Sequence, residues 1–282
     1  MTRLLSGDAI AAELRKSVKG KAEELAAFSN LAKLAVVFVG DDPTSRAYAH
    51  AKVKMGSDLF TNVDLHESSS QTSANSLLKL IRRLNNDEDI DGIFVELPLP
   101  NHFNEAEIVD AISYEKDVSG LHPYNLGKLL NGDESLGIAP VVPQACLKLL
   151  SQATEAKGRR TVIVGRSKTA ARPLTAMMVN RGALVTLVDP EDERLPSLCR
   201  EAEIVIAAAQ VPGLIKPDMV DEHTIVIDAG LNQHQGELVG DADFAGLKES
   251  VQAISPVPGG VDRLTSLLLF NNLIKVAERR RS

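Results

Sequence analysis

The chain of 282 residues has no tryptophan, and aromatic residues make up only 4% of it. Its hydrophobic cores must therefore be built mainly from aliphatic side chains. It has only two cysteines, Cys146 and Cys199, which lie far apart and have no metal-ligand companion at close spacing. We therefore expect two reduced structural thiols, and neither a disulfide framework nor a metal site.

Long apolar runs and an excess of positive charge are also missing. No segment approaches the roughly 18 apolar residues that a membrane span needs. The first residues lack the apolar core of a signal peptide, so we expect a cytoplasmic protein. With 31 basic and 38 acidic residues the net charge is −7, which argues against nucleic acid or an anionic membrane as the main partner. We interpret the basic cluster 279–281 as a frayed helix end.

Helical and strand-like apolar patterns alternate along the chain, whose length suits two domains. The predicted elements are helix 8–27, strand 34–39, helix 44–58, strand 61–65, helix 73–86, strand 93–95, helix 105–112, strand 162–164, helix 173–181, strand 184–188, helix 192–200, strands 204–207 and 224–228, and a last helix 265–279. Such alternation predicts an α/β fold with mostly parallel sheets. A segment rich in proline and valine, 139–143, separates the two halves.

One predicted strand carries a carboxylate, Glu96, where it ends in Leu97-Pro98-Leu99-Pro100. Prolines end a strand, and ligands bind at the carboxyl edge of open α/β sheets. A carboxylate at the end of an apolar strand must be solvated in a cleft or paired with a cation. Lys52 and Lys54 are the candidate cations.

Tyr48 and Lys52 are four residues apart and therefore share one face of a predicted helix, which Ser45 extends toward the helix start. A phenol beside an ammonium can order a substrate and move a proton. The spacing by itself is more typical of a solvated lysine near an exposed tyrosine.

Ordered motifs along nearly the whole chain resemble those of the bifunctional methylenetetrahydrofolate dehydrogenase/cyclohydrolases, the FolD proteins. The motifs are Ser45-x-x-Tyr48-x-x-x-Lys52-x-Lys54, Asp91-Gly92-Ile93, Leu97-Pro98-Leu99-Pro100, Asp117-Val118-x-Gly120, His122-Pro123-Tyr124-Asn125-x-Gly127, Gly165-Arg166-Ser167, Val226-Ile227-Asp228-x-Gly230-x-Asn232, Val239-Gly240-Asp241 and Pro256-Val257-Pro258-Gly259-Gly260-Val261. The resemblance implies a catalytic folate-binding α/β domain, 1–139 plus 264–282, to which the C-terminal helix returns. It also implies a Rossmann-like NAD(P)-binding domain, 140–263, a folate cleft between the two, and a homodimer.

The resemblance implies two reactions. 5,10-Methylenetetrahydrofolate would be oxidised with NAD or NADP, and the methenyl product would be hydrolysed to 10-formyltetrahydrofolate. Lys52 would serve the hydrolysis, Glu96 would lie beside it, and Tyr48 would position the folate. The other implied substrate-binding residues are Ser45, Leu97, Pro98, Ser119, Pro258, Gly259 and Gly260. The implied cofactor-binding residues are Gly165, Arg166, Ser167, Asp189, Gln210 and Asn232.

Two substrate-site positions depart from the family pattern. Glu96 stands where the family usually has glutamine, and a carboxylate there would pair with Lys52 and favour its charged form, which weakens the cyclohydrolase. Ser119 replaces an aspartate that holds the pterin's donor edge, and serine cannot reproduce that charge-assisted pair of hydrogen bonds. Two interpretations stay open: Glu96 compensates for Ser119, or both reflect drift in a protein that no longer binds folate.

The loops depart as well. Ala171 and Gln210 replace family glycines near the cofactor, which makes loss of cofactor binding an open alternative. The loop 258–265 carries Asp262 in place of a glycine, and we expect a charge pair between Asp262 and Arg263.

Asp189 ends a predicted strand 24 residues after Gly165 (189 − 165), close to the roughly 20 expected for a ribose-binding acid. An acid there accepts from a 2′-hydroxyl and repels a 2′-phosphate, which predicts NAD over NADP despite Arg166. The alternative is that Asp189 starts a turn and caps the following helix.

Three functions therefore remain at this stage: the dehydrogenase/cyclohydrolase, a catalytically degenerate binding or regulatory protein, and an enzyme for a modified folate. Hydride transfer depends mainly on positioning two ligands, whereas the hydrolysis needs Lys52 itself. The two activities can therefore be lost independently.

Overall fold

The computed structural model describes residues 2–234 and 236–281. The outermost residues of the predicted domains, 1 and 282, lie outside that range. The described residues form strands β1 (Arg3–Leu4), β2 (Lys33–Val39), β3 (Asn62–Ser68), β4 (Gly92–Val95), β5 (Arg160–Val164), β6 (Leu184–Val188), β7 (Ile204–Ala207), β8 (Ile225–Asp228), β9 (Asn232–His234), β10 (Glu237–Val239) and β11 (Ala253–Ile254). The helices are α1 (Asp8–Phe28), α2 (Pro43–Asp58), α3 (Ala74–Asn86), α4 (Glu105–Asp110), α5 (Pro123–Leu130), α6 (Val141–Leu150), α7 (Ala171–Asn180), α8 (Leu195–Glu201), α9 (Phe244–Leu247) and α10 (Asp262–Arg281).

The chain divides into two compact units. The smaller consists of Glu13–Gly127, Glu134–Ala139 and the C-terminal segment from Leu269. Its three parallel strands lie in the order β3-β2-β4. Strand β2 is buried along almost its whole length because it is the central strand, and aliphatic side chains from β2, β4, α3 and α4 form the core.

The C-terminal arginines are bonded within this unit, so the interpretation of 279–281 as a frayed helix end is wrong. Arg281 donates to both carboxylate oxygens of buried Asp91, and Arg280 lies 3.6 Å from the same carboxylate. Arg279 donates to the backbone carbonyls of Ser135 and Leu136. The last turn of α10 is therefore fastened to the unit at several points.

The larger unit contains the N-terminal segment up to Ala12, Lys128–Asp133 and Pro140–Leu268. Its six-stranded parallel sheet has the order β1-β11-β8-β7-β5-β6. From β5 the chain adds β6 on one side and then crosses to β7 on the other. This reversal is the topological switch point at which open α/β sheets bind ligands. Strands β9 and β10 form a separate antiparallel hairpin.

The units differ from the expected domains at the N-terminus, where residues up to Ala12 group with the larger unit because β1 pairs with β11. Helices α5 and α6 were not among the predicted elements. Pro143 made its segment resemble a linker, but it is the third residue of α6, where no intrahelical N–H is required. Both cysteines are free and buried. Among the described helices, none is both long and apolar enough to cross a membrane.

Candidate functional site

Helix α2 carries the predicted tyrosine–lysine pair. Asp42 caps the helix by accepting the backbone N–H of Ser45 at 2.6 Å, and Pro43 begins it with a pre-set φ. Lys52 is only 8% exposed, whereas Tyr48 is 46% exposed. The phenol is therefore available to a flat ligand, and the ammonium is withdrawn from solvent.

Lys52 forms an ion pair with Glu96, as the sequence predicted. Its Nζ donates to Glu96 Oε1 at 2.8 Å, and it lies 5.1 Å from the ring centroid of Phe94. Lys54, the other candidate cation, is exposed. The second oxygen of Glu96 is buried and accepts no hydrogen bond from the described residues. Glu96 directly follows β4 and precedes partly buried Leu97 and exposed Pro98. The ion pair therefore lies at the expected strand end.

Ser119 is buried in a loop whose hydrogen bonds converge on the carboxylate of Asp117. Asp117 belongs to the motif 117–120, but no role was predicted for it from the sequence. The Ser119 hydroxyl donates to Asp117 Oδ1 at 2.6 Å. The same carboxylate accepts the backbone N–H groups of Gly120 and His122 and the side-chain amide of Asn125. Ser119 therefore directs its hydroxyl into the loop's own hydrogen-bond network.

In the larger unit, the loops after β5 and β7 touch at the switch point. Gly165 has φ +127° and leaves no room for a side chain, because a Cβ there would lie 2.2 Å from the carbonyl oxygen of Ala208. Only glycine fits this approach. Ala171, which replaces a family glycine, is fully buried at the start of α7. Its methyl group is therefore packed inside the unit.

The predicted phosphate and ribose residues have local partners. Ser167 accepts the backbone N–H groups of Ala170 and Ala171 at 3.2 and 3.0 Å, so its hydroxyl is engaged just before the start of α7. Arg166 forms an ion pair with Asp189 at the end of β6. Asp189 also accepts the N–H of Glu191 at 2.8 Å. It thus caps a turn and not helix α8, which begins only at Leu195.

Gln210 adopts a left-handed conformation, with φ +59°. A buried carboxylate, Asp241, accepts the N–H groups of residues 209, 210 and 211 at 2.6, 2.9 and 2.9 Å. Asn232, a predicted cofactor residue, donates its side-chain amide to the same carboxylate at 2.8 Å. Sequence reasoning did not assign a role to Asp241. The signal available was its place in the motif Val239-Gly240-Asp241, one of the motifs that carry the family resemblance.

Asp228 is a second buried acid in this region. It accepts the backbone N–H groups of Gly230, Asp241 and Ala242 at 2.9, 3.0 and 2.8 Å. Burial raises the pKa of Asp228 to about 7, although these hydrogen bonds act in the opposite direction. Burial also raises the pKa of Cys146 to about 12, so this thiol stays protonated at neutral pH.

The loop at Pro258, Gly259 and Gly260 is fixed from within the larger unit. Asp262 begins α10 and accepts the N–H groups of Gly259 and Gly260 at 2.9 and 3.0 Å. Arg263 pairs with Asp8 at 3.3 Å, and so the expected Asp262–Arg263 charge pair is wrong. Because Asp262 lies at a helix start, its carboxylate accepts the backbone N–H groups that precede the helix and does not pair with the side chain of its neighbour.

These features define a class of protein. One unit carries a buried lysine–carboxylate pair at a strand end, and the other is a Rossmann-type sheet with a glycine-constrained switch point. The model of the tetrahydrofolate dehydrogenase/cyclohydrolase catalytic domain matches residues 5–119, and that of the NAD(P)-binding domain matches residues 140–281. The chain belongs to the tetrahydrofolate dehydrogenase/cyclohydrolase family.

Individual relatives agree with this assignment over the full length. The chain is 38% identical over 279 residues to the bifunctional protein FolD of an Exiguobacterium species, covering 99% of this chain and 100% of the relative. The crystal structure of the bifunctional FolD of Campylobacter jejuni is 36% identical, with a TM-score of 0.95 over 99% of this chain and 100% of that one. A Trypanosoma brucei FolD, solved with NADP and an inhibitor, is 27% identical, with a TM-score of 0.93 and coverage of 99% and 98%.

Proposed function

We propose that this protein oxidises 5,10-methylenetetrahydrofolate with a nicotinamide dinucleotide and hydrolyses the methenyl product to 10-formyltetrahydrofolate. One observation carries the proposal: the catalytic and NAD(P)-binding family models each match this chain, and together they span most of it. No observation favours a non-enzymatic binding protein or a modified folate over this function.

The residues at the switch point of the larger unit fit a dinucleotide. The close approach of Gly165 to the Ala208 carbonyl leaves the backbone there free of any side chain, which is what a bound pyrophosphate needs. Gly165, Arg166, Ser167 and Asp189 would hold the dinucleotide. When bound, it supplies the acceptor for the hydride of the methylene carbon. The protein's part in this step is to hold and orient the two ligands.

The hydrolysis depends on Lys52. Water that adds to the cationic methenyl carbon must lose a proton, and an amine at position 52 can accept it as a general base. In this chain the Lys52 ammonium is held in an ion pair with Glu96 at 2.8 Å, and an ammonium has no lone pair with which to accept that proton. We therefore propose that the cyclohydrolase is weaker here than in a protein with a neutral amide at position 96, while the dehydrogenase does not depend on this charge.

Recognition of the pterin also differs from the family pattern. The Ser119 hydroxyl is engaged by Asp117 and offers no carboxylate to a pterin donor edge. The buried second oxygen of Glu96 has no partner among the described residues and retains the capacity to accept a hydrogen bond. We propose that Glu96 compensates for Ser119 as the acceptor for the substrate, with Tyr48, Ser45, Leu97 and Pro98 lining the same site.

The preferred dinucleotide in this proposal is NAD. The Asp189 carboxylate can accept from a ribose 2′-hydroxyl and opposes a 2′-phosphate, and its ion pair with Arg166 removes the cation that a 2′-phosphate would need. We also propose, from the family resemblance, a homodimer in the cytoplasm. Light scattering of the purified protein tests the dimer.

The first experiment is turnover of 5,10-methylenetetrahydrofolate by the purified protein, with NAD and NADP supplied in parallel. Turnover with a higher kcat/KM for NAD supports both the dehydrogenase and the role of Asp189. Turnover with NADP alone would overturn the NAD preference. No turnover with either dinucleotide would overturn the dehydrogenase, and hydrolysis of the methenyl compound is measured separately.

A further inference from the structure

The loop after β7 forms one wall of the switch-point crevice. Its residue Ala208 lies against Gly165 of the opposite loop, at a distance that excludes any Cβ on Gly165. The sheet order places β5 and β7 side by side, and ligands bind between the carboxyl ends of such strands. The conformation of residues 208–211 therefore sets the shape of the crevice.

This loop contains a conformation that its sequence does not favour. Gln210 has φ +59°, a region in which side chains other than glycine, asparagine and aspartate are disfavoured. Gln210 is exposed, so packing of its side chain does not impose the conformation. Three successive N–H groups, at residues 209, 210 and 211, converge instead on the buried carboxylate of Asp241.

Asp241 is itself held in place from two sides. The Asn232 amide donates to its Oδ1 at 2.8 Å, and its own N–H donates to Asp228 Oδ1 at 3.0 Å. Two glycines leave room for these carboxylates. A Cβ on Gly230 would lie 2.1 Å from Asp241 Oδ1, and a Cβ on Gly240 would lie 1.9 Å from Asp228 Oδ2. Asp228, at the end of β8, therefore holds the backbone of Asp241, and the Asp241 carboxylate holds the loop after β7.

We propose that Asp241 is a positioning residue of the dinucleotide site, and that it holds the loop 209–211 in the left-handed conformation that shapes the crevice for the dinucleotide. The inference rests on the proposed dehydrogenase. It also changes the role of Asn232, which acts through Asp241 as part of the support.

The test combines Asp241→Asn with Gln210→Gly. An asparagine replaces one of the two acceptor oxygens by an NH2 group, so at least one of the loop's N–H groups faces a donor and the turn is weakened. Without dinucleotide, hydrogen exchange at amides 209–211 should accelerate about tenfold or more in Asp241→Asn, and the KM for the dinucleotide should rise about tenfold with a smaller change in kcat. Glycine adopts positive φ without strain. In the Gln210→Gly background, Asp241→Asn should therefore raise KM by about threefold or less.

Asp243→Asn is the matched control. Asp243 lies two residues further on and caps α9 through the N–H of Gly246, and its side chain has no hydrogen bond to residues 208–211. It should lower stability slightly while loop exchange and the KM stay as in the unsubstituted protein. Equal effects of Asp241→Asn in both backgrounds, or unchanged loop exchange, would overturn the role of Asp241. An unsubstituted protein that hydrolyses methenyltetrahydrofolate but binds no dinucleotide would overturn the proposed dehydrogenase, and the positioning role with it.

Discussion

The Lys52 ammonium lies 2.8 Å from the Glu96 carboxylate, and both side chains are largely withdrawn from solvent, at 9% and 14% exposure. The pair joins the middle of α2 to the end of β4. An ammonium that is held in such an ion pair has no lone pair with which to accept a proton from attacking water. The relationship therefore bears directly on the hydrolytic half of the proposed function.

Glu96→Gln should increase kcat for methenyltetrahydrofolate hydrolysis at saturating substrate, although it also removes the acceptor proposed for the substrate and should raise KM. The amide removes the carboxylate that pairs with the Lys52 ammonium while keeping the size of the side chain, so Lys52 can act as a general base, a contribution worth about a hundredfold or more in rate. The measurement is the loss of methenyl absorbance with purified variant and unsubstituted protein.

Glu67→Gln provides a control for that comparison. Glu67 also pairs with residues of α2, Arg46 and His50, but it does not contact Lys52. Its substitution should leave the hydrolysis rate unchanged. A Glu96→Gln protein no faster than the unsubstituted one at saturating substrate would contradict this role of the Lys52–Glu96 ion pair.

Asp189→Ser should shift the dinucleotide preference toward NADP. The substitution removes a negative charge and releases the Arg166 guanidinium, which can then bind a 2′-phosphate. A hydrogen bond to a charged group is worth about 1.5–3 kcal/mol, which corresponds to roughly tenfold to a hundredfold in the ratio of kcat/KM values. Steady-state kinetics with both dinucleotides measure the ratio.

Asp192→Ser is the appropriate comparison for Asp189→Ser. Asp192 lies three residues away and pairs with Arg194, not with Arg166. Asp192→Ser removes the same charge from the same loop, and it should change the ratio of the kcat/KM values for NAD and NADP little. Equal shifts from both variants would indicate a general charge effect and not a specific role of Asp189.

Gly92→Ala should destabilise the smaller unit. A Cβ on Gly92 would lie 2.4 Å from Val118 Cγ1 and 2.8 Å from Leu273 Cδ1, at the meeting point of β4 and α10. Overpacking of this kind costs about 1–3 kcal/mol in the free energy of unfolding. Gly20→Ala in α1 meets nothing within 4 Å and should stabilise by up to about 1 kcal/mol. Urea titration compares the free energies of unfolding of the two variants. A Gly92→Ala protein as stable as the unsubstituted protein would refute this close packing of β4 against α10.

The pH dependence of stability should reflect Asp228. Its pKa rises from 3.8 to about 7 on folding because the carboxyl is buried. The native state therefore binds this proton more tightly, and the stabilisation is complete below about pH 4 and lost as the pH rises through 7. Between pH 5 and pH 8 the free energy of unfolding should fall by up to about 3 kcal/mol from this group.

Asp228→Asn should flatten that part of the pH profile, since an amide does not titrate. His66 works in the opposite sense: burial lowers its pKa, so its contribution is lost as the pH falls below 6.5. Denaturant titrations at several pH values, on the unsubstituted protein and on Asp228→Asn, isolate the part of the profile that Asp228 contributes. A profile that Asp228→Asn leaves unchanged would exclude the buried acid as its source.

Local pattern was sufficient where neighbouring residues decide the outcome. The spacing of Tyr48 and Lys52 predicted a shared helix face. The charge of Glu96 at a strand end required either solvation in a cleft or a cationic partner, and the structure shows that this partner is Lys52. The local pattern failed where residues distant in the sequence determine the contacts. The arginines 279–281 read as a loose end because Asp91, the carboxylate that binds them, lies 190 residues away from Arg281. Likewise, Arg263 pairs with Asp8, which is distant in the sequence, and not with the adjacent Asp262.

The sequence by itself determined the α/β class, the family and most helices and strands, because hydrophobic periodicity and ordered motifs are local properties of the chain. Only the tertiary structure decided that the Ser119 hydroxyl is engaged by Asp117, that Arg166 is paired with Asp189, and that Asp241 holds the loop at Gln210. These relationships depend on which buried carboxylate meets which donor. That is settled by packing, since a buried charge must find its partners wherever the fold brings them.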